Sequence, residues 1–333
     1  MKTLVVAGLS LAFLLFPPTQ VAATATSSAR SRRARTSLSY HWPIKPFDRQ
    51  HPVRGAFGDP RTTNVNRPFG WTGPKQIGTH SFHNGIDIAA DTGTPVYPVV
   101  SGWVKRASED EIVVRTDDGR SFQYYHLERA RAVQRGRFVV AGRTVLGRIR
   151  ADYGHVHLAE IDHHVIHNPL DPGHLEPYRD RTRPVASDLY VDDGPLPSPL
   201  DGRSVTAHDQ LAVAAADPPA TRVPGPWLGL PQVPALVEWR LFQGHTHTPW
   251  TVAVDFRQTE PPPRDFWHVY GSGTYQNCPV FQHHLYLGTP GRYLFRLKLH
   301  LNRLHRGLYR LAVRVADVRG NQSTASWPLE VGG

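Results

Sequence analysis

The sequence predicts a mainly β fold in two parts, an antiparallel sheet domain followed by a β-sandwich. Three observations carry that expectation. Short apolar runs separated by Gly, Pro and Asp recur between Pro43 and about Pro172, and again beyond Ser204. No amphipathic helical period interrupts the first set. Between the two sets, Arg181 to Arg203 is crowded with Pro, Asp, Gly and Ser, the composition of a linker.

From the start of the chain, Lys2 precedes an apolar run from Leu4 to Phe16, then Pro17-Pro18, then small residues around Val21-Ala22-Ala23 and Ala23-Thr24-Ala25. That order is a signal peptide over 1–25, and its run is short for a membrane span; an uncleaved anchor is the alternative. No cysteine follows the run to carry a lipid. Residues 26–42 open with Ala, Ser, Thr and Arg without an apolar period and read as a disordered basic linker. The first domain, 43–180, then offers strands over Ile86–Ala89, Val96–Val100, Gly102–Arg106, Ile112–Arg115, Phe122–Leu127, Val145–Ile149 and His155–Ile161, with Asp118-Gly119 as a hairpin turn. A linker over 181–203 leads to a second domain, 204–333. Its strands are expected over Ser204–Ala215, Leu236–Phe242, Thr251–Phe256, Leu285–Leu287, Arg292–Leu299, Gly307–Val315 and Gln322–Val331. Seven short strands with regular turns suggest a sandwich, and the closing pair around Asp317 to Asn321 resembles the last hairpin of immunoglobulin-like and fibronectin-like domains. Such a likeness carries no activity.

At 333 residues the chain is long enough for about two cores. Its 38 Lys+Arg against 28 Asp+Glu leave a formal charge of +10, which favours an anionic partner: nucleic acid, anionic lipid or an anionic wall polymer. No basic helix, zinc-finger spacing or aromatic-basic RNA motif is present, so nucleic acid is not expected as a partner. A single cysteine, Cys278, forbids an intrachain disulfide and reads as a structural or incidental thiol.

His83-Asn84-Gly85-Ile86-Asp87 places an imidazole and a carboxylate four residues apart. Gly85 and the following Ile-Asp-Ile argue for a strand entered from a turn rather than a helix. Fully extended, the two side chains would stand roughly 13 Å apart, too far for one ion; a bend at Asn84-Gly85 brings them within reach. The pair is therefore either half of a zinc site or a surface turn before a half-buried strand. A zinc ion that performs catalysis takes three protein ligands and keeps one position open. His155-Val156-His157 on a later strand would turn both imidazoles to one face. Among 19 histidines chance supplies about one such pair, and His245-Thr246-His247 is a second copy that reads as an ordinary strand or loop. His163 and His167 have a zincin's outer spacing, but His164 stands where Glu is required.

Context separates these patterns. His83-Asn84-Gly85-Ile86-Asp87-Ile88-Ala89-Ala90-Asp91-Thr92-Gly93-Thr94-Pro95-Val96-Tyr97, then Ser101-Gly102-Trp103-Val104, Tyr125-His126-Leu127 and His155-Val156-His157, in that order and spacing, resembles the lysostaphin and LytM type of zinc metalloendopeptidase. The resemblance covers about residues 45 to 178 and ends near Asn168-Pro169-Leu170. It implies an antiparallel β-sheet metallopeptidase domain with Zn2+ held by His83, Asp87 and His157. His126 and His155 are implied as the catalytic pair beside a zinc-activated water. The implied substrate is the peptide part of bacterial cell-wall peptidoglycan, in an exported protein of the periplasm, cell envelope or extracellular space with no stable membrane insertion after cleavage.

Two departures bear on the groove. Ala151-Asp152-Tyr153-Gly154 is short and lacks the Gly-Pro that usually precedes the His-x-His, and Leu158-Ala159 replaces the usual Phe-Glu, with Glu160 displaced by one. They keep open a second reading, a non-catalytic envelope regulator that binds a protein partner and activates other wall hydrolases. In the second domain Trp227, Trp239, Trp250, Trp267 and Tyr275 could form a sugar-binding face or pack in a core. The sequence leaves the oligomeric state open.

Overall fold

The computed structural model describes residues 39–63, 79–151, 153–192, 197–277 and 290–332. The signal peptide, most of the 26–42 linker, Asp152, Cys278 and the strand expected at 285–287 lie outside them.

Alternation builds the main sheet. In Ser121–Tyr125 the buried positions are Phe122 and Tyr124, and in Gly102–Ala107 they are Gly102 and Val104, the period-2 pattern of a strand with one face on the core. The sheet has eight strands, in the order Val53–Gly55, Ile86–Ala89, His155–Asp162, Ser121–Tyr125, Glu111–Arg115, Gly102–Ala107 and Phe138–Val139, with Val165–His167 pairing the far end of His155–Asp162. Every one of these pairings is antiparallel. The hairpin expected at Asp118-Gly119 joins Glu111–Arg115 to Ser121–Tyr125, and Gly119 takes the left-handed conformation at φ 97°. His155–Asp162 has neighbours on both sides, and its first six residues are buried. After Tyr125 the chain leaves this sheet and enters a three-stranded one, Pro95–Val96, Gly147–Ile149 and Leu127–Arg129. His126 is the corner between them.

Beyond residue 184 lie two further antiparallel sheets. One runs Ser198–Pro199, Val185–Val191, Leu211–Ala216, Leu294–Arg296. The other runs Thr246–His247, Leu236–Gln243, Gly307–Ala316, Gln322–Val331, with Thr251–Asp255 also on Leu236–Gln243. Val185–Val191 falls inside the stretch expected as linker. A bulge between Ala186 and Asp188 breaks its alternation, so that Ala186, Leu189 and Val191 are the buried positions and no period-2 signal is left. The one α-helix among the described residues is Phe266–Val269. One buried apolar cluster reaches from Tyr40 to Val331. Across it, Phe82 packs edge-on against Phe256 at 5.6 Å, and Asp59 Oδ1 accepts a hydrogen bond from the Val233 amide at 3.0 Å.

Glu160, 1 % exposed, accepts from the Tyr40 hydroxyl at 2.6 Å and from His174 Nδ1 at 2.7 Å. Burial opposes the charged form of each partner, but their mutual hydrogen bond and attraction prevail: His174 is raised from 6.5 and Glu160 lowered from 4.5. The raised histidine stabilises the fold fully below 6.5 and loses that contribution as pH rises through its folded value. The lowered carboxylate contributes above 4.5 and loses its share as pH falls through its folded value. The melting temperature should therefore fall on the alkaline side of 6.5 by about 2 °C. His174→Gln should remove that slope, and an unchanged slope in the variant would assign it elsewhere.

Candidate metal and catalytic site

The antiparallel register sets Asp87 directly opposite His157, and Ala89 opposite His155. Directly opposed residues on one face have Cβ atoms about 5 Å apart, so cross-strand pairing alone brings these two side chains together. His157 is also paired with Tyr125, one residue before His126. His83 precedes its strand and is tied down by backbone hydrogen bonds with the Asp59 carbonyl and the Gly58 amide, both 2.9 Å. The chain then bends at Gly85. The choice of glycine there follows from close approach: a Cβ would stand 2.3 Å from the Leu158 carbonyl oxygen and 2.8 Å from His157 Nε2.

Three donor atoms converge. His83 Nε2 is 2.9 Å from His157 Nδ1 and 3.1 Å from Asp87 Oδ1, and His157 Nδ1 is 3.2 Å from Asp87 Oδ1. Ligands of a tetrahedral ion at about 2.0–2.2 Å would be about 3.3–3.6 Å apart, so a small outward adjustment admits one ion. His83, Asp87 and His157 are all buried and form a group whose atoms could hold a metal. The tautomer fits as well. His83 Nδ1–H donates to the Ala56 carbonyl at 2.8 Å, which leaves the Nε2 lone pair facing the group. Burial first, and then Arg61, push His83 down to about 3, so it is neutral, as a ligand must be. Burial would raise Asp87, yet the Arg54 and Arg61 guanidiniums on its Oδ2 outweigh it and hold the carboxyl well below its usual range. These residues fit zinc.

Two arginines that sequence reading did not single out orient the carboxylate. Arg61 Nη2 lies 2.8 Å and Arg54 Nη2 3.1 Å from Asp87 Oδ2, so Oδ2 is held and Oδ1 faces the imidazoles. Arg54 Nη2 also donates to His155 Nε2 at 2.8 Å. His155 Nδ1–H donates to the Tyr153 carbonyl at 2.8 Å, which makes Nε2 the proton-accepting nitrogen, 3.5 Å from Asp87 Oδ1. Burial, then Arg54, push His155 well down and keep it neutral. His126 sits at φ 70°, a left-handed conformation that histidine tolerates better than most residues. That corner turns its ring to within 4.6 Å of the His155 ring, and it stacks on Tyr153 at 3.9 Å. Burial lowers it to about 4, with Asp87 opposing. Trp227, from the short turn Gly225–Trp227, closes this end: its ring is 6.2 Å from His155 and 4.5 Å from the Arg54 guanidinium.

All five residues expected from sequence thus meet in one place, while the rival pairs do not. His163, His164, His245 and His247 are exposed. Of the aromatic set, Trp227 and Trp239 are buried, and Trp250, Trp267 and Tyr275 are half-buried, with Trp250 flanked by Arg240 and Arg314 at 4.5 and 4.4 Å. They pack within the protein.

Residues 81–169 match the sequence model of peptidase family M23. This segment is an M23-family domain. No curated protein matches the chain. Among solved structures, the chain is similar to a SpoIIQ–SpoIIIAH pore-forming complex (25 % identity over 40 % of this chain and 89 % of that one, TM-score 0.30). It is also similar to a zinc-containing peptidase from Vibrio cholerae (21 %, 37 % and 36 %, TM-score 0.27) and to lysostaphin (13 %, 73 % and 91 %, TM-score 0.25). The M23 match begins two residues before His83 and ends two after His167, so it spans His83, Asp87, His126, His155 and His157 but neither Arg54, Arg61 nor Trp227.

Proposed function

We propose that the protein is an exported zinc metalloendopeptidase that hydrolyses peptide bonds in bacterial cell-wall peptidoglycan. The observation that carries this reading is the convergence of His83 Nε2, Asp87 Oδ1 and His157 Nδ1 within 2.9–3.2 Å, beside two neutral imidazoles that are not needed as ligands. M23 membership of residues 81–169 and the signal-like start of the chain support the substrate class and the export.

His83, Asp87 and His157 would hold a zinc ion, which when bound would supply the Lewis acidity that polarises a peptide carbonyl and activates water near neutral pH. The residues do the rest. His155 Nε2 takes the proton from the attacking water and returns it to the leaving amine, with the Tyr153 carbonyl holding the ring in that tautomer. His126, neutral, offers an N–H to the oxygen that gains charge. Arg61 keeps Asp87 Oδ2 in place throughout. The +10 charge suits an anionic wall.

One observation favours a second reading, a non-catalytic envelope regulator that binds a protein partner. Arg54 donates to the very nitrogen that must accept a proton, and Trp227 stacks on Arg54. Digestion of purified peptidoglycan by the intact protein, with mass spectrometry of the products and with chelator as control, separates the two. Released peptides that vanish with chelator are the expected result. About one zinc per chain without any product, in both wild type and Arg54→Ala, would favour the regulator.

A further inference from the structure

A second group of metal-ligating side chains lies outside the M23 segment. Carboxylate oxygens of Asp180, Asp217 and Asp317 lie within 4.8 Å of one another. They come from three separate parts of the chain: the segment after the M23 domain, the residue following strand Leu211–Ala216, and the turn that closes Gly307–Ala316 onto Gln322–Val331. Asp180 and Asp317 are well supplied with donors. Asp180 Oδ1 accepts from the Thr182 amide and hydroxyl at 2.8 and 2.6 Å, and its Oδ2 from the Tyr178 hydroxyl at 3.2 Å. Asp317 Oδ1 accepts from the Arg319 and Asn321 amides at 2.8 and 2.9 Å, and its Oδ2 from the Asn321 side chain at 2.6 Å.

Asp217 is different. It is 6 % exposed, its Oδ1 is buried with no hydrogen-bond partner, and a carboxylate oxygen of its side chain lies within 4.8 Å of the other two carboxylates. Among the described residues none of the three forms an ion pair. Arg319 contributes its backbone amide, but its guanidinium turns away to Glu176 at 3.0 Å and the Tyr178 ring at 5.1 Å. A buried carboxylate without donors beside two other carboxylates is costly unless a cation or a proton joins it. Burial first, then Asp180, Asp317 and Asp59, push Asp217 up to about 9, so that without a cation the group holds a proton at neutral pH.

We propose that Asp180, Asp217 and Asp317 bind one Ca2+ ion, which ties the segment following the M23 domain to the ends of the two C-terminal sheets. The donor set is all oxygen, which selects a hard cation and not zinc. Calcium takes oxygen ligands in flexible geometry, which carboxylates carried by three separate turns can supply. Magnesium demands octahedral regularity, which three carboxylates fixed by their own turns do not offer. The ion replaces the missing donors of Asp217 and cancels the mutual repulsion.

The test uses the full chain, stripped on chelating resin and reloaded with one equivalent of zinc so that the M23 site is filled. Calorimetric titration should give one equivalent of Ca2+ bound, and the melting temperature should rise by about 5 °C at a hundredfold excess over Kd. Asp217→Asn should lose both effects yet melt, without calcium, no lower than the calcium-free wild type, because it replaces a carboxyl that is already neutral there by a neutral amide of the same shape. Asp180→Asn should also lose calcium binding. Absence of binding at millimolar Ca2+, or a full calcium response retained in Asp217→Asn, would overturn the proposal. An equal response to Mg2+ would overturn the assignment to calcium.

Discussion

Replacing His155 by alanine is expected to lower peptide-bond turnover about 10²–10⁴-fold while leaving the bound zinc in place, whereas His83→Ala should lose the metal and the turnover together. The separation follows from the geometry. His155 Nε2 is 3.5 Å from Asp87 Oδ1, at the edge of the converging trio, and its other nitrogen is engaged by the Tyr153 carbonyl. His83 lies inside the trio, 2.9 Å from His157 Nδ1. The same two positions are adjacent in space but differ in what their loss exposes. Without His155 the three donors and the two arginines on Asp87 remain. Without His83, Asp87 Oδ1 and His157 Nδ1 lose the third member, and two ligands bind zinc far more weakly than three. Metal analysis beside a peptidoglycan digestion assay reads both outcomes. Turnover by zinc-loaded His155→Ala at the wild-type rate would remove His155 from the chemistry.

That the sequence groups the five candidate residues but not the neighbours they meet in the structure has a physical cause. His83, Asp87, His155 and His157 sit on or beside strands whose pattern is local, and i, i+2 alternation states that His155 and His157 share a face. His126 was legible only through its family context, because its placement depends on a left-handed corner between two sheets that no period records. Arg54 and Arg61 belong to two short strands, Val53–Gly55 and Pro60–Thr63, in text with nothing to distinguish them from the other basic residues of a chain with 38. They reach Asp87 because Val53–Gly55 pairs with Ile86–Ala89 and Pro60–Thr63 with Thr79–Phe82, contacts set by tertiary folding. Trp227 is further still, since it approaches His155 from beyond the first sheet domain. The strand Val185–Val191 was hidden by a bulge, and the longer strands Leu236–Gln243, Gly307–Ala316 and Gln322–Val331 were clear because length averages over such irregularities.

Gly85→Ala should disable the site more than it weakens the fold. The added Cβ would meet the Leu158 carbonyl at 2.3 Å and His157 Nε2 at 2.8 Å. Leu158 is the register partner of Ile86, so its carbonyl belongs to the central strand and cannot swing aside as a flexible side-chain end could. Relief has to come from moving the bend at Gly85 or the strand segment that carries His157, and either motion displaces His83, Asp87 and His157 relative to one another. Overpacking of this kind costs about 1–3 kcal/mol of stability, a fall of only a few degrees in melting temperature. A displacement of about 1 Å at a reacting centre costs about 10²-fold in rate. Gly93→Ala supplies the comparison. Gly93 is left-handed at φ 81° with nothing within 4 Å of its would-be Cβ, so the substitution strains the backbone by about 1 kcal/mol without pressing on the metal trio. The expected pattern is therefore a modest fall in melting temperature for both variants, with zinc affinity and peptide release lost only in Gly85→Ala. Equal activity in the two would mean that the turn between His83 and Asp87 has slack, and that the closeness of Gly85 to His157 plays no part in building the site.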